Sequence, residues 1–236
     1  EIFRVEETIK RICGRFHVNH VDIFSMSHGI FVSAENENGE AYTKVNHVPL
    51  SSSHLGIVAE VNELSREISA GRVKLEEAEE RLEKIEKIPP KKRWFQYMAA
   101  GLASGTFALM LGSSVSEAVA AFLIGFLSYV WVLFAGKHNL SKIIVNIVGG
   151  VIMTVLALAF MHIPFLPILK LDGMMVGAIM PMIPGVAFVN AIRDIADTDF
   201  LSGLVRMIDA LLVFVYIAIG VGVTLSIYNT MMGGIL

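Results

Sequence analysis

Two stretches of this 236-residue chain carry side chains whose types and spacing could do chemistry. The first holds His17, His20, Asp22, Ser25 and His28, and five of the seven histidines fall within the first 54 residues. Imidazoles beside a carboxylate would suit a metal, and a Ser/His/Asp set would suit an activated nucleophile. No cluster of ligand-like cysteines accompanies them, and polar residues are expected on strands that face water on one side. Solvated histidines are therefore the simpler reading. The second stretch runs from Pro181 to Arg206 and places Pro184, Gly185, Asn190, Arg193, Asp194, Asp199, Ser202 and Arg206 in order. An apolar segment broken by proline leaves backbone N–H and C=O groups without partners, which is tolerable only inside protein or beside a wet cavity. Guanidinium matches a carboxylate bidentately, so Arg193 and Arg206 are expected to attract one. Asn190 and Ser202 would donate hydrogen bonds, and Asp194 or Asp199 would orient the arginines or bind a coupling proton. The alternative is a proline kink followed by an ordinary charged loop, with Arg193 and Asp194 paired to neighbours.

The elements that position these residues follow from periodicity. Ile2, Val5, Ile9, Ile12 and Phe16 recur at three- and four-residue steps and predict an amphipathic helix. Strands are predicted over 18–25, 29–35 and 40–46, the last two joined across Asn38-Gly39, a favoured hairpin pair. Ser51 to Ser53 can cap a helix that runs to about Gly71, with Leu55, Val58, Leu64 and Ile68 facing inward. Leu75, Ala78, Leu82 and Ile85 then mark a narrow apolar seam on a charged helix, read as a connector or partner-facing element. Pro89-Pro90 stops it. Lys91-Lys92-Arg93 followed by Trp94, Phe95 and Tyr97 is the order of basic flank and aromatic anchor at a cytoplasmic membrane surface.

About five membrane spans are predicted beyond that point: 94–111, 115–134, 143–161, 174–189 and 207–228, each near the ~17–25 residues needed to cross. The fourth is short and holds Pro181, Pro184 and Gly185. With the N-terminus inside, the cytoplasmic flanks hold Lys91, Lys92, Arg93, Lys137, Lys142, Arg193 and Arg206, against Lys170 alone outside. The expected fold is thus an α-helical membrane protein with a small α+β N-terminal cytoplasmic domain over 1–90, a transmembrane domain over 91–236, and an external C-terminus. Composition agrees. The chain is 54% hydrophobic with a mean hydropathy of +0.63. Residues 1–93 carry 14 basic and 16 acidic side chains, and the remainder only 5 and 6. The basic residues form no long cluster, which argues against nucleic acid. The single Cys13 cannot form an intramolecular disulfide, as suits a reducing compartment. The chain opens at Glu1 with no visible leader, so some upstream residues are expected to be missing. Gly101-Leu-Ala-Ser-Gly105 offers a small-residue face for close helix packing.

Three segments carry a resemblance to a known family: the opening Glu1-Ile-Phe-Arg4-Val5-Glu6-Glu7-Thr8, the first span's Gly101-Leu-Ala-Ser-Gly105-Thr-Phe-Ala-Leu-Met-Leu-Gly112, and Pro184-Gly185 through Arg206. Over nearly its whole length the chain resembles the threonine/serine exporter family, and more closely the YjjP-type proteins in which the first half of that transporter is a separate chain. The resemblance implies a bacterial inner-membrane subunit that exports small carboxylate-bearing solutes, either a dicarboxylate such as succinate or threonine and serine. It also implies a second membrane subunit of YjjB type, hence a hetero-oligomer, and no cofactor. No nucleotide-binding loop is present, so an ion gradient is the expected driving force. An enzyme is not expected. The rivals are a membrane-anchored hydrolase with a histidine-rich catalytic domain, and a regulatory subunit whose partner does the transport.

Overall fold

The computed structural model describes residues 2–26, 28–35, 39–48, 54–163 and 169–232. Two compact units divide the chain: Glu1–Pro90 with Val189–Arg206, and Lys91–Phe188 with Met207–Leu236. In the first, helix α1 (Ile2–Arg15) precedes an antiparallel meander of β1 (Asn19–Met26), β2 (Gly29–Glu35) and β3 (Ala41–His47), in the order β1-β2-β3. Phe24 pairs with Phe31, and Phe31 with Val45, so aromatic and branched side chains meet across the strands. Gly39 sits at a φ of +78°, the turn conformation a glycine enters without penalty, while its predicted turn partner Asn38 lies outside the described residues. Helices α2 (Leu55–Ser69) and α3 (Leu75–Glu86) follow.

Two expectations for α2 are corrected. Its start is capped by His54, whose Nδ1 accepts from the Ile57 N–H at 3.1 Å; Ser51 to Ser53 lie outside the described residues. Leu55 and Val58 are exposed, and the inward stripe is Ile57, Val61, Leu64 and Ile68. Steps of four, three and four keep those residues on one face at 3.6 residues per turn, and Leu55 and Val58 fall off it. That stripe packs with Ala78 and Ile85 of α3 and Ile12 of α1 into a small core. The α3 seam is thereby half used: Ala78 and Ile85 are buried, Leu75 and Leu82 exposed. Arg81 of α3 pairs with Glu67 of α2 across the same contact, which holds the guanidinium above its usual range.

The second unit is built on long apolar helices: α4 (Arg93–Met110), α5 (Val115–Lys137), α6 (Lys142–Met161), α7 (Leu171–Ile179), a 3₁₀ turn over Met180–Met182, α8 (Gly185–Ala196) and α9 (Phe200–Met231), the last two also entering the first unit. Three of them, α5, α6 and α9, are long and apolar enough to cross a membrane, and a fourth span is counted if the bent pair around residue 183 is one crossing. Among the described residues α4 does not reach that standard, because Arg93 and Gln96 open it and Gly101, Ser104, Gly105 and Thr106 dilute its apolar content. The fourth span, expected to be broken at its prolines, consists of two helices meeting at 61°. Ile124, Met153, Ala157, Met174, Val213 and Ile217 form the buried centre.

Small residues set the spacing of these helices. A Cβ on Gly105 would lie 3.0 Å from the Ala118 carbonyl oxygen, and one on Gly101 3.0 Å from that of Phe122. The small-residue face of α4 is therefore consumed against α5 within the chain. Another close crossing joins α6 to α9, where a Cβ on Gly220 would sit 2.1 Å from the Ile147 carbonyl oxygen and one on Gly150 2.7 Å from that of Ile217. Without a hydrophobic drive between helices in lipid, such close backbone approach is what holds them. Gly220→Ala is expected to lower stability in detergent by about 1–3 kcal/mol through overpacking, whereas Gly222→Ala, with nothing within 4 Å, leaves it unchanged or raises it. Thermal unfolding of the two variants checks this, and equal transitions would refute the tight crossing.

Candidate functional site

Pro184 breaks the apolar stretch that runs from α7 into α8. It lacks an N–H, and its ring disfavours the helical region for the residue before it. Ile183 is accordingly extended (φ −69°, ψ 125°). The chain restarts at once: the Pro184 carbonyl accepts from the Phe188 N–H at 2.9 Å, and α8 begins at Gly185, where an added Cβ would meet open space.

From that start α8 delivers the expected residues to distinct places. Asn190 is half-buried along it. Arg193 is half exposed, and its Nε lies 3.7 Å from Asp197 Oδ2 one turn on. Asp194 is buried at 5% exposure and accepts from Arg206 Nη1 at 2.9 Å. Between α8 and α9 the chain makes a tight turn in which Thr198 takes φ +71° and the Asp199 N–H donates to the Asp194 carbonyl at 2.9 Å. Asp199 caps α9, its Oδ1 accepting from the Ser202 N–H at 3.2 Å. Ser202 itself is buried at 2% exposure. Gly203 lets α9 lean on α8, since a Cβ there would sit 2.6 Å from Ile195 Cγ1 and 2.9 Å from the Ala191 carbonyl oxygen.

The turn thus joins Asp194 to Arg206 and Asp199 to Ser202, and Arg193 and Arg206 pair with different carboxylates. What converges is acidic: Asp194, Asp197, Thr198 and Asp199 share a cavity of ≈ 250 Å³ with Glu6 of α1 and with Phe24 and Ser25 of β1. Glu6 Oε1 accepts from the Ser25 N–H at 3.1 Å and from its Oγ at 3.0 Å, which fixes the carboxylate at the cavity wall. Sequence reasoning missed Glu6, Phe24 and Ser25 as partners of this turn, because nothing in spacing links residues 6 and 25 to residues 194–199. Four carboxylates around one small space beside an aromatic ring suit a cation, and an ammonium group in particular.

A second carboxylate was missed on α5. Glu117 is 5% exposed; its Oε2 accepts from the Ser114 N–H at 2.7 Å and its Oε1 from the Lys170 N–H at 2.9 Å. Ser114-x-x-Glu117 before an apolar run is a capping-box signal and would have revealed the first of these bonds. Among the described residues no three metal-ligating side chains come together. His17, His20 and His28 are exposed, and the Ser25 hydroxyl donates to Glu6 rather than to an imidazole.

Residues 1–228 match the family described as "Putative threonine/serine exporter". The chain is similar to the threonine/serine exporter of Corynebacterium glutamicum, 25% identical over 214 residues, which are 89% of this chain and 44% of that protein. The chain therefore spans less than half the length of this relative. No solved structure matches.

The pairings separate scaffold from surface. Removing one partner of a buried pair strands the other charge; with Arg206 about a quarter exposed, Asp194→Ala is expected to cost about 2–3 kcal/mol, below the full buried-pair value. Asp197→Asn, which touches only an exposed pair, is expected to cost under about 1 kcal/mol. Thermal unfolding of both variants tests this, and equal stability would show that the Asp194–Arg206 pair does not hold α8 to α9.

Proposed function

The chain belongs to the threonine/serine exporter family, and on that premise we propose that it is a membrane subunit of a secondary exporter for threonine, serine or a solute of that size. The family is a transporter family, and the long apolar helices fit a membrane protein. The acid-lined cavity beside the broken helix carries the substrate reading. An amino acid presents an α-ammonium that Glu6, Asp197 and Asp199 would neutralise over the Phe24 ring, and a carboxylate that half-exposed Arg193 would take in exchange for Asp197. Asn190 and Ser202, on the two helices flanking the turn, would donate to the hydroxyl or carboxylate, and Asp194 with Arg206 would hold those helices in register. A dicarboxylate such as succinate is the second candidate from the sequence; four carboxylates around the cavity weigh against it through like-charge repulsion. The coupling proton would sit on one of the turn's carboxylates.

The proposed topology has five crossings, with α4 as the first and the bent α7–α8 pair as the fourth. The 1–90 domain and the 189–206 turn then lie in the cytoplasm of a bacterial cell and the C-terminus outside. Seven basic flank residues against one support this orientation. A second membrane component of YjjB type completes the transporter in this proposal.

Proteoliposomes loaded with labelled threonine, serine or succinate test the reading, with this chain alone and with a YjjB-type chain co-reconstituted. Flux of threonine and serine is expected only from the pair, with succinate slower. Asp197→Asn is expected to lower threonine flux about tenfold or more by removing a charged partner, while leaving assembly intact. Succinate flux without amino-acid flux would overturn the substrate assignment; full flux from this chain alone would overturn the partner.

A further inference from the structure

The start of α4 differs from the starts of its neighbours α5, α6 and α7. Each of those has a hydroxyl or carboxylate at or near its cap: Ser114 with Glu117 on α5, Ser141 on α6, and Asp172 in the first turn of α7. α4 has neither a side-chain cap nor an acid in its first turn. Lys91, Lys92 and Arg93 stand there instead, all exposed, followed by Trp94 and Phe95 at 59% and 62% exposure. Among the described residues none of these three cations forms an ion pair. Cations at a helix N-terminus oppose its dipole. Negative charge from outside the chain would offset both.

Packing fixes the level of these charges along the neighbouring helix. A Cβ on Gly105 would meet the Ala118 carbonyl and one on Gly101 that of Phe122, so four residues back along α4 match four residues on along α5. Carried on at that register, Arg93 stands level with Val130, seven residues and about 10.5 Å short of Lys137 at the end of α5. Val130 and Phe134 are 41% and 52% exposed on a helix long and apolar enough to cross a membrane. The cations therefore lie beside surface that faces lipid, where the anion within reach is a phospholipid phosphate.

We propose that the start of α4 binds the headgroup of an anionic phospholipid. The guanidinium and the two ammonium groups donate to phosphate oxygens, the exposed rings of Trp94 and Phe95 lie at the acyl boundary, and the lipid's net charge offsets the opposed dipole. A zwitterionic headgroup brings its own cation and offsets less, so the surface selects by net charge. The aromatic side of the surface is already held: Trp94 packs edge-on against Phe126 with ring centroids 5.9 Å apart, and Tyr97 against the same ring at 5.6 Å. Only the cationic side chains then have to order on the headgroup. The plain alternative is a topological signal alone, in which basic residues of a short loop keep it on the cytoplasmic side. That role is served from anywhere in the loop and needs no bound lipid. It does not account for three cations crowded onto an uncapped helix start that is recessed from the end of the neighbouring span.

The test uses the whole chain carrying Trp131→Phe, which leaves Trp94 as the single tryptophan, in nanodiscs of phosphatidylcholine and phosphatidylglycerol in equal amounts. Bromine on the acyl chains of one lipid or the other quenches Trp94 fluorescence according to which lipid adjoins the ring. About threefold enrichment of phosphatidylglycerol at Trp94 is expected, shrinking as salt rises. Replacing Lys91, Lys92 and Arg93 together by Gln is expected to make the two lipids equal. Lys84→Gln with Lys87→Gln on α3, where both cations already pair with Glu80 and Glu83, is expected to leave the preference unchanged. Thermal unfolding shows that each variant is folded, and native mass spectrometry of the chain without any substitution gives the same comparison as retained phosphatidylglycerol over phosphatidylcholine. Equal quenching by the two lipids before the cations are removed would overturn the proposal, as would equal retention in the mass spectra or loss of preference in the α3 variant. Millimolar sodium phosphate is expected to act no more strongly than sodium chloride of equal ionic strength; its selective removal of the preference would assign the surface to a soluble phosphate and overturn the lipid. No solute enters the experiment, so its failure leaves the transport reading untouched.

Discussion

The missing N–H of Pro184 is the constraint from which the region around the turn follows. Without that donor the helix through α7 cannot continue, Ile183 goes extended, and the chain restarts as α8 at an angle of 61°. The new direction brings α8 to its end at Ala196, and the tight turn with Thr198 at positive φ feeds α9. At that end one residue serves both neighbours: the Asp194 carbonyl accepts the Asp199 N–H while its carboxylate holds Arg206.

Charge then decides what the turn can attract. Arg206 faces a buried carboxylate, and its field near the cavity is largely cancelled at 2.9 Å. Arg193 has Asp197 at the looser distance of 3.7 Å on the surface, where water screens the pair and exchange of partners costs little. The remaining acids, with Glu6 pinned by Ser25, leave the cavity negative. The arginine pair that looks like an anion trap in sequence order is therefore one structural cation and one exchangeable one. The amino acid proposed above suits this arrangement because it carries an ammonium and a carboxylate on one carbon.

The parts legible in the sequence are those governed by local periodicity and by proline. The three strands come within one residue of their expected ends, and the break falls at the expected Pro184. Helix starts and inward faces were harder. Leu55 and Val58 look as apolar as Ile57 and Val61, and only the packing of α3 and α1 against α2 selects between the two stripes. In α4 the same small residues that dilute hydropathy permit close packing on α5, so a window average and the backbone fit pull in opposite directions. Contacts between remote segments, such as Glu6 of α1 with Ser25 and the 194–199 turn, have no signature in spacing at all.

Glu117 shows the same logic in the apolar unit. A carboxylate at the start of an apolar helix looks like a functional charge until its bonds are followed. One oxygen takes the N–H of Ser114, the cap residue of α5, and the other takes the N–H of Lys170, the cap residue of α7. Helix starts present backbone donors with no intrahelical acceptor, and where water is scarce each such donor left bare costs more than the same group at a wet surface. One carboxylate serving two helix starts answers that need and ties α5 to α7. Gly173 is part of the same device, since a Cβ there would sit 3.0 Å from the Glu117 Oε2 and 2.8 Å from Ser113 Oγ. The charge is retained for the backbone's sake, which is why it stands at the helix cap rather than farther along α5.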